Sequence, residues 1–459
     1  MTTYSAVVTT GIYCRPGCNA KPLAENVRTF ELAAAAEAAG FRACLRCRPY
    51  RIVSPISGDA PELVCRAVGL ILDGTLDEGS EAALAVRLGV SARHLRRWFR
   101  EHLGVTPDQL ARSRRAHFAR RLLDDSELSV TEVAFASGFG SLRQFNRTMR
   151  EVFRASPTDL RSRRRRADRL AADGGLTLRL PFQSPLDWDG ILAFLAERAV
   201  PGVESIAGRT YRRTISLDGA AGMLEVLPGG ADHLLFRAHL PYWEGLIHVV
   251  DRVGRMFGLD ADIASAVAQL AVDPTIGSLV SSRRGLRVPG VWGPLEVATH
   301  AIVTQHVTLA EAATHMGALV RTFGQPVPGL GHGLTHLFPS AEVIANADLA
   351  SLAFPVGAAE AIRSLATSMA AGEVSLDGSL GLEDLLASLT AIPGIGTTAA
   401  NQIALRLGHQ DAFPESDPLI GQALRRLDYH EPANGIASRW KPWRAVAATH
   451  LVAHASTIA

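Results

Sequence analysis

Four of the chain's five cysteines fall within its first fifty residues, as Cys14-x3-Cys18 and Cys44-x2-Cys47 with 25 residues between the pairs. Two such pairs can bring four thiolates to one tetrahedral Zn2+. A segment that short has too small a core to fold comfortably alone, and a structural metal supplies the missing stability. Zinc favours soft sulfur and has no redox chemistry of its own, so a thiolate site survives in a reducing compartment. The N-terminus lacks the basic, apolar and small-residue succession of an export signal. No run of eighteen apolar residues indicates a membrane span. A cytoplasmic protein is therefore expected, with paired cysteines that bind metal or do chemistry rather than form disulfides. On spacing alone the plain reading is a zinc staple. Cys65, in "ELVCRAVGLIL", reads as a buried core cysteine.

The length of 459 residues predicts about three domains, and 47% hydrophobic with 20% charged residues suits folded ones with real cores. The net charge of +2 conceals an asymmetry. Residues 91–170 hold 19 Arg against 9 Asp plus Glu, a local balance of +10. A solvated helical face is the bland account of such a block, and a polyanion-binding surface is the functional one, with DNA the first candidate. Lys occurs only at positions 21 and 441, so the positive charge is nearly all Arg, which suits phosphate geometry.

Within this block the spacing predicts helices throughout 60–166. "GSEAALAVRLGVSARHLRRWFREHLG" reads as a short helix, a turn at Gly89, a cap at Ser91 and a longer Arg-rich helix. "LSVTEVAFASGFGSLRQFNRTMREVFR" repeats the plan with Gly138 in the turn and Ser141 as cap. Two helix-turn-helix units about fifty residues apart follow. Each second helix would offer its N-terminal residues to base edges in a major groove. These are Arg93, His94, Arg96 and Arg97 in the first unit, and Leu142, Arg143, Gln144, Asn146 and Arg147 in the second. The run "RSRRRRADR" at 161–169 reads as a basic linker that touches backbone phosphate without reading sequence.

After Gly174-Gly175 the pattern changes. Leu176, Leu178 and Leu180 alternate as on a strand, a helix is expected over 187–199, and strand-like runs follow around 211–217, 222–227 and 234–240. From about residue 243 the pattern is helical. In "LTAIPGIGTTAANQIALRLGHQDAFPESDPLIGQAL" the glycines Gly394 and Gly396 lie in a turn between two helices. Such a turn presents backbone N–H groups to a phosphate, the helix-hairpin-helix pattern of sequence-independent DNA binding. Asp417 follows 21 residues after Gly396, and Asp417-Pro418 by itself is a good helix start, with Asp as N-cap and Pro at the first helical position.

Three resemblances sharpen these readings. "TTGIYCRPGCNAKPLAENVRTF" with "AAGFRACLRCRPY" resembles the metal-binding domain of Ada, the adaptive-response protein, over residues 4–50. The resemblance implies that Cys14, Cys18, Cys44 and Cys47 hold zinc and that Cys14 takes a methyl group from a methyl phosphotriester in DNA, once. Zinc with four thiolates carries a formal −2 and methylation leaves −1, so DNA affinity is expected to rise. The family has further residues before the first strand, so the domain is expected to be trimmed or its start misassigned. "EVAFASGFGSLRQFNRTMREVFRASPTDLR" resembles the AraC family of activators. "DWDGILAFLAERAVPGVESIAGRTYRR" and "RWKPWRAVAATHLVAH" resemble AlkA, the 3-methyladenine glycosylase, over about 175–459. That likeness implies a base flipped from the stack, an Asp at position 417 stabilising positive charge on the deoxyribose, and a base pocket including Phe194, Thr398 and Gln402. His306 stands where the wedge residue is usually Leu. Thr398 stands where strand-cutting relatives carry Lys, so a monofunctional glycosylase is expected. The family's aromatic pocket is thinned, since Thr398 and Gln402 replace aromatics and a fourth position falls near Val452; Trp440 and Trp443 either compensate or are core.

Together these imply a multidomain chain: a small zinc-bound α+β domain (1–52), an all-α AraC-type DNA-binding domain (60–166), an α+β AlkA N-terminal-like domain (175–287) and an all-α helix-hairpin-helix glycosylase domain (288–459). The order resembles the Ada–AlkA fusion. It implies double-stranded DNA, damaged and promoter, as partner, with RNA polymerase the further partner of an activator and no membrane. Two other readings stay open: a regulator whose glycosylase domain no longer works, and a glycosylase whose zinc domain is purely structural.

Overall fold

The computed structural model describes residues 3–20, 22–52, 60–165, 168, 170, 175–430 and 432–456. The chain divides into two compact units: Met1–Gln183 with Gly229–Gly254 and Leu259–Asp262, and Ser184–Pro228 with Arg255–Gly258 and Ile263–Ala459.

The first unit opens with β1 (Tyr4–Val7), β2 (Ile12–Cys14), β3 (Val27–Phe30), α1 (Ala33–Ala38) and β4 (Arg42–Ala43), the strands ordered β3-β1-β2-β4. β2 pairs with β4 in parallel, Tyr13 against Ala43. That register ends the two strands side by side, with Cys14 closing β2 and Cys44 following directly on β4. Among the described residues, the helices that follow in this part of the unit are α2 (Glu62–Leu72), α3 (Glu81–Arg87), α4 (Ala92–Leu103), α5 (Pro107–Asp125), α6 (Val130–Ala136), α7 (Leu142–Phe153) and α8 (Pro157–Ser162). The helix starts are set locally. Ser91 Oγ accepts from the His94 N–H and Ser141 Oγ from the Gln144 N–H, both at 3.2 Å. Gly89 and Gly138 take left-handed backbone in the turns. Both helix-turn-helix units therefore form where the sequence places them. β5 (Leu176–Pro181) pairs antiparallel with β9 (His233–His239).

The nineteen-residue α5, opened by a Thr106–Gln109 capping box with Pro107 at its first position, is the spine of this unit. Leu32 and Ala34 of the cysteine-bearing segment share one apolar cluster with Val64, Leu84, Phe99 and Leu110. At its C-terminal end α5 carries Asp124, fully buried. Its carboxylate accepts from Tyr50 Oη at 2.9 Å, Arg120 at 2.5 Å and Arg51 at 3.3 Å, with Arg48 at 3.6 Å. Arg48 also pairs with Asp168 at 2.6 Å. The segment after Cys47 is thus fastened to α5 by a buried charge network. Removing one partner of such a network strands the others without compensation. Asp124→Ala is expected to lower stability by about 3–5 kcal/mol, read as a lower midpoint in urea unfolding.

The second unit holds α9 (Trp188–Ala196) and the antiparallel strands β6 (Glu204–Ala207), β7 (Thr210–Leu217) and β8 (Ala220–Pro228). In chain order there follow α10 (Leu246–Met256), most of which belongs to the first unit, and then, in the second unit, α11 (Ile263–Leu270), α12 (Gly277–Ser282), α13 (Pro294–Val303), α14 (Leu309–Phe323), α15 (Ala341–Ala345), α16 (Ala358–Ala370), α17 (Leu382–Thr390), α18 (Thr397–Arg406), α19 (Pro418–Arg426), α20 (Ala433–Ala437) and α21 (Arg444–Ser456). The α11–α21 segment encloses one apolar core, in which Trp440 and Trp443 are buried and Trp440 meets Phe413 edge-on at 5.8 Å. The two tryptophans are core, and Val452 is buried in α21. Among the described residues, no helix is long and apolar enough to cross a membrane.

Candidate functional sites

The four sulfurs of Cys14, Cys18, Cys44 and Cys47 lie within 4.8 Å of one another. A tetrahedron with zinc–sulfur bonds of about 2.3 Å sets its sulfurs about 3.8 Å apart, so small shifts close the cluster on one Zn2+. The chemistry of the set agrees. Hydrogen bonding to Cys47, burial and the neighbouring sulfurs push the Cys14 thiol far above the usual range. The hydrogen bond from Cys14 draws Cys47 down to about 5. Four clustered thiolates cannot coexist without a cation to offset them. Backbone geometry orients the set: the Cys44 N–H donates to the Tyr13 carbonyl at 2.9 Å, the Arg15 N–H donates to Cys47 Sγ at 3.5 Å, and Arg48 adopts left-handed backbone just after Cys47. Cys14, at 6% exposure, is buried, while the other three are half-buried. Next to it, Tyr13 Oη donates to Glu37 at 2.6 Å, and the same Glu37 oxygen lies 2.6 Å from His117 Nε2 on α5. The residue before Cys14 and the residues after Cys47 both end on α5. Spacing could not reveal this. Cys65 is half-buried rather than buried, with its thiol pushed up to about 11 by desolvation.

On α4, Arg93 and Arg97 are exposed, while His94 lies against Trp98 at 4.8 Å. Arg96 turns back to the buried carboxylate of Glu81, which also accepts from the Asp108 N–H. On α7, Leu142, Arg143 and Arg147 are exposed and Gln144 is half-buried. Asn146 donates to the Leu142 carbonyl at 2.8 Å and Arg147 stands 3.9 Å from Glu151. Part of the basic run at 161–169 (166, 167 and 169) lies outside the described residues.

In the second unit, α17 and α18 flank the turn Pro393–Gly396. Gly394 has φ +91°, and a Cβ there would come within 2.8 Å of Ala361 Cβ. Only glycine fits. Gln305, on the turn between α13 and α14, clasps this hairpin: its amide donates to the Gly394 carbonyl at 3.0 Å and accepts from the Gly396 N–H at 2.9 Å. The Gly396 N–H is therefore engaged within the protein. No side chain caps α18, so the orphan N–H groups of its first turn are the donors suited to a phosphate. The neighbouring His306 is exposed on the same turn.

Asp417 is the N-cap of α19. Its Oδ1 accepts from the Leu419 N–H at 2.8 Å and its Oδ2 from Gln402 Nε2 at 2.8 Å. At 9% exposure it is nearly buried, whereas Glu415 is exposed. Asn401 Oδ1 accepts from the Phe413 N–H at 3.1 Å and the Asp417 N–H donates to the Pro414 carbonyl at 2.9 Å, which fixes the loop carrying the carboxylate. Thr398, Gln402 and Arg406 recur every four residues on one face of α18 and are all half-buried. Arg198 and Arg406 both lie over the Phe194 ring, at 3.9 and 5.1 Å from its centre. Gln402 thus holds Asp417, and Phe194 lies under Arg198 and Arg406, of which Arg198 also feels the Asp417 charge; the sequence reading singled out neither arginine. Their i, i+4 spacing from Phe194 and Gln402 was the available signal.

Comparison with known proteins matches three segments of the chain. Residues 2–50 match the metal binding domain of Ada, 84–163 a helix-turn-helix domain and 177–293 the AlkA N-terminal domain. The probable bifunctional transcriptional activator/DNA repair enzyme AlkA of Mycobacterium tuberculosis is 38% identical over 454 residues, covering 97% of this chain and 91% of that protein. DNA-3-methyladenine glycosylase 2 of Escherichia coli is 32% identical over 283 residues, 59% of this chain and 95% of that one. A solved 3-methyladenine DNA-glycosylase from Archaeoglobus fulgidus superposes with a TM-score of 0.54 at 21% identity, over 60% of this chain and 97% of that one, and so shares the fold. With an Ada-type four-cysteine zinc site, a helix-turn-helix pair and a glycosylase fold in one polypeptide, the chain belongs to the family of bifunctional Ada–AlkA transcriptional activators and DNA repair enzymes.

Proposed function

We propose that the second unit excises alkylated bases such as 3-methyladenine from DNA as a monofunctional glycosylase, and that Cys14 accepts a methyl group that switches on promoter binding by the first unit. The observation that carries the enzyme reading is the held carboxylate of Asp417. One oxygen is committed to the α19 N-terminus, and the other lies against Gln402 beside Arg198 and Phe194. A flipped nucleotide would bring its sugar to Asp417 as the base leaves, and a preorganised carboxylate stabilises the cation that develops on the sugar. The α18 N-terminus would hold backbone phosphate, and His306, exposed on the turn that Gln305 clasps to the hairpin, would fill the gap in the stack.

Cys14, Cys18, Cys44 and Cys47 would hold a zinc ion, which would keep their sulfurs ionised and nucleophilic at neutral pH. In the transfer, a bond forms between Cys14 Sγ and the methyl carbon, the ester C–O bond breaks, and a phosphodiester anion leaves. The methylated sulfur carries one negative charge less, so the face toward phosphate is repelled less. The Tyr13–Glu37–His117 chain and the Arg48, Tyr50 and Arg51 contacts to Asp124 support a rigid link from this site to α5. A cytoplasmic location and RNA polymerase as partner belong to the same reading.

The test uses full-length protein, DNA bearing methyl phosphotriesters, and a binding site selected from a random-sequence pool. Mass spectrometry is expected to find one methyl on Cys14, with tighter binding to the selected site afterwards. Methyl on Cys47, or on none of the four, rejects the acceptor assignment. Arg143→Ala is expected to weaken binding to the selected site by about 1–3 kcal/mol, and binding to random DNA much less. Equal losses on both DNAs would mean that Arg143 touches only phosphate.

A further inference from the structure

We propose that His248 is a positioning residue for promoter reading: its imidazolium clamps α10 against the turn of the second helix-turn-helix, so that α7 is held for base contact only while the ring keeps both protons. The proposal rests on the promoter-binding reading of the first unit and deepens it. Residues 246–254 of α10 fall within the match to the AlkA N-terminal domain, yet they pack in the first unit with the DNA-binding helices. His248 Nδ1 lies 2.8 Å from the Leu72 carbonyl, and Nε2 lies 2.6 Å from Asp77 Oδ2. A carbonyl and a carboxylate only accept. Both ring nitrogens must therefore donate, which only the doubly protonated, cationic ring can do. The surroundings suit that cation. Leu72 ends α2, where carbonyls lack intrahelical partners and the helix dipole is negative, and Asp77 adds a full negative charge. Gly74, at φ +92°, lets the ring lie close, since a Cβ there would come within 3.0 Å of it.

Asp77 is where the clamp meets the turn. Arg115 of α5 holds its Oδ1, with Nε at 3.1 Å and Nη2 at 2.8 Å. A Cβ at Gly138, in the turn before α7, would come within 2.7 Å of Asp77 Oδ2 and 3.5 Å of Ile247 Cγ2. The carboxylate that His248 grips, and the residue before His248, both lie against that turn. The Gly245 N–H, just before α10, donates to the Phe135 carbonyl near the end of α6 at 3.2 Å, and the Gly138 N–H donates to the same oxygen at 3.0 Å. The other charges on the facing segments are Asp251 of α10, held by Arg114 of α5 at 2.7 Å, and Asp73, 4.0 Å from Arg252. Burial by itself would lower the ring's pKa; the hydrogen bonds to Asp77 and Leu72 and the charges of Asp77 and Asp251 outweigh it and hold it above the ordinary histidine value. With the pKa raised in the folded state, the clamp is complete at pH below that ordinary value and is lost as pH rises through the raised one. A neutral ring turns a lone pair toward an acceptor, and α10 loses its grip under the turn. A displaced α7 loses base contacts, which depend on donor and acceptor geometry, more than phosphate contacts.

The experiment measures binding of the full-length, unmethylated protein to the site selected from the random-sequence pool, at constant salt, from about pH 6 to about pH 9. The informative quantity is the ratio of wild-type affinity to that of His248→Gln. Other histidines of the DNA-binding helices, such as His94, His102 and His117, titrate in both proteins and drop out of it. At the acid end the ratio is expected to be about tenfold, the order of one charge-assisted hydrogen bond. It is expected to fall to within about twofold at the alkaline end, where the wild-type ring loses its proton too. On random DNA the ratio should stay near one throughout. Asp77→Asn, which keeps the shape and removes the charge, is expected to show the same convergence and stands in should His248→Gln not fold. A ratio that does not change with pH means a merely structural role and overturns the proposal. So does a ratio of one at the acid end, or an equal change on random DNA. If wild type prefers no sequence in the pool, the promoter reading falls and the proposal with it; a clear preference with an unchanging ratio rejects the proposal alone.

Discussion

Asp417→Asn is expected to fold, bind DNA and still cap α19, yet lose base release by on the order of 10²-fold or more. The two roles of the side chain separate because they use different oxygens. Oδ1 accepts from the Leu419 N–H and Oδ2 from Gln402. Asn caps a helix about as well as Asp. Its Nδ2 would meet the Gln402 amide, which can rotate to present its oxygen, so the structural cost stays near one hydrogen bond, about 1 kcal/mol. The negative charge cannot be replaced that way. The measurement is single-turnover release of 3-methyladenine from methylated DNA, with thermal unfolding as the check on folding. Glu415→Gln, at an exposed neighbour, is the control and should keep the wild-type rate. On the proposed monofunctional reading, with Thr rather than Lys at position 398, borohydride should trap no covalent complex. Wild-type release by Asp417→Asn would leave that residue as a cap alone and move the regulator reading ahead.

Cys18→Ala is expected to remove the metal and unfold the segment through about residue 50. Structural zinc sites contribute about 10–16 kcal/mol in small domains, and a three-ligand remnant rarely holds. The loss should spread. Leu32 and Ala34 share a cluster with the helices of the DNA-binding block, and Tyr50 and Arg51 satisfy the buried Asp124. Metal analysis should fall from one zinc per chain to none, and amide exchange should quicken in β1–β4 and at the C-terminal end of α5. A variant lacking both Cys44 and Cys47 that still held one tightly bound zinc would refute the ligand set. Loss of zinc with no change in α5 protection would show that the two parts are not energetically coupled.

Local chemistry is what the sequence determined by itself. Cysteine spacing gave the zinc site; Ser91, Ser141 and their glycine turns gave both helix-turn-helix units; and the Asp417-Pro418 start gave the α19 cap. Each of these is decided within a few residues by backbone geometry and one side-chain bond. The tertiary structure alone decided what depends on elements distant in the chain. Arg96 looks like its neighbours in sequence, yet Glu81 claims it. Gln305 reaches across 91 residues to engage Gly396. Trp440 and Trp443 are core because α11–α21 close around them. The base-pocket candidates acquire their charge from Arg198, in the turn just after α9 and four residues from Phe194, and from Arg406, one turn along α18 from Gln402, and only packing brings both guanidiniums over one ring. Periodicity fixes which side chains share a helix face; what that face meets is fixed by packing, which no local pattern encodes.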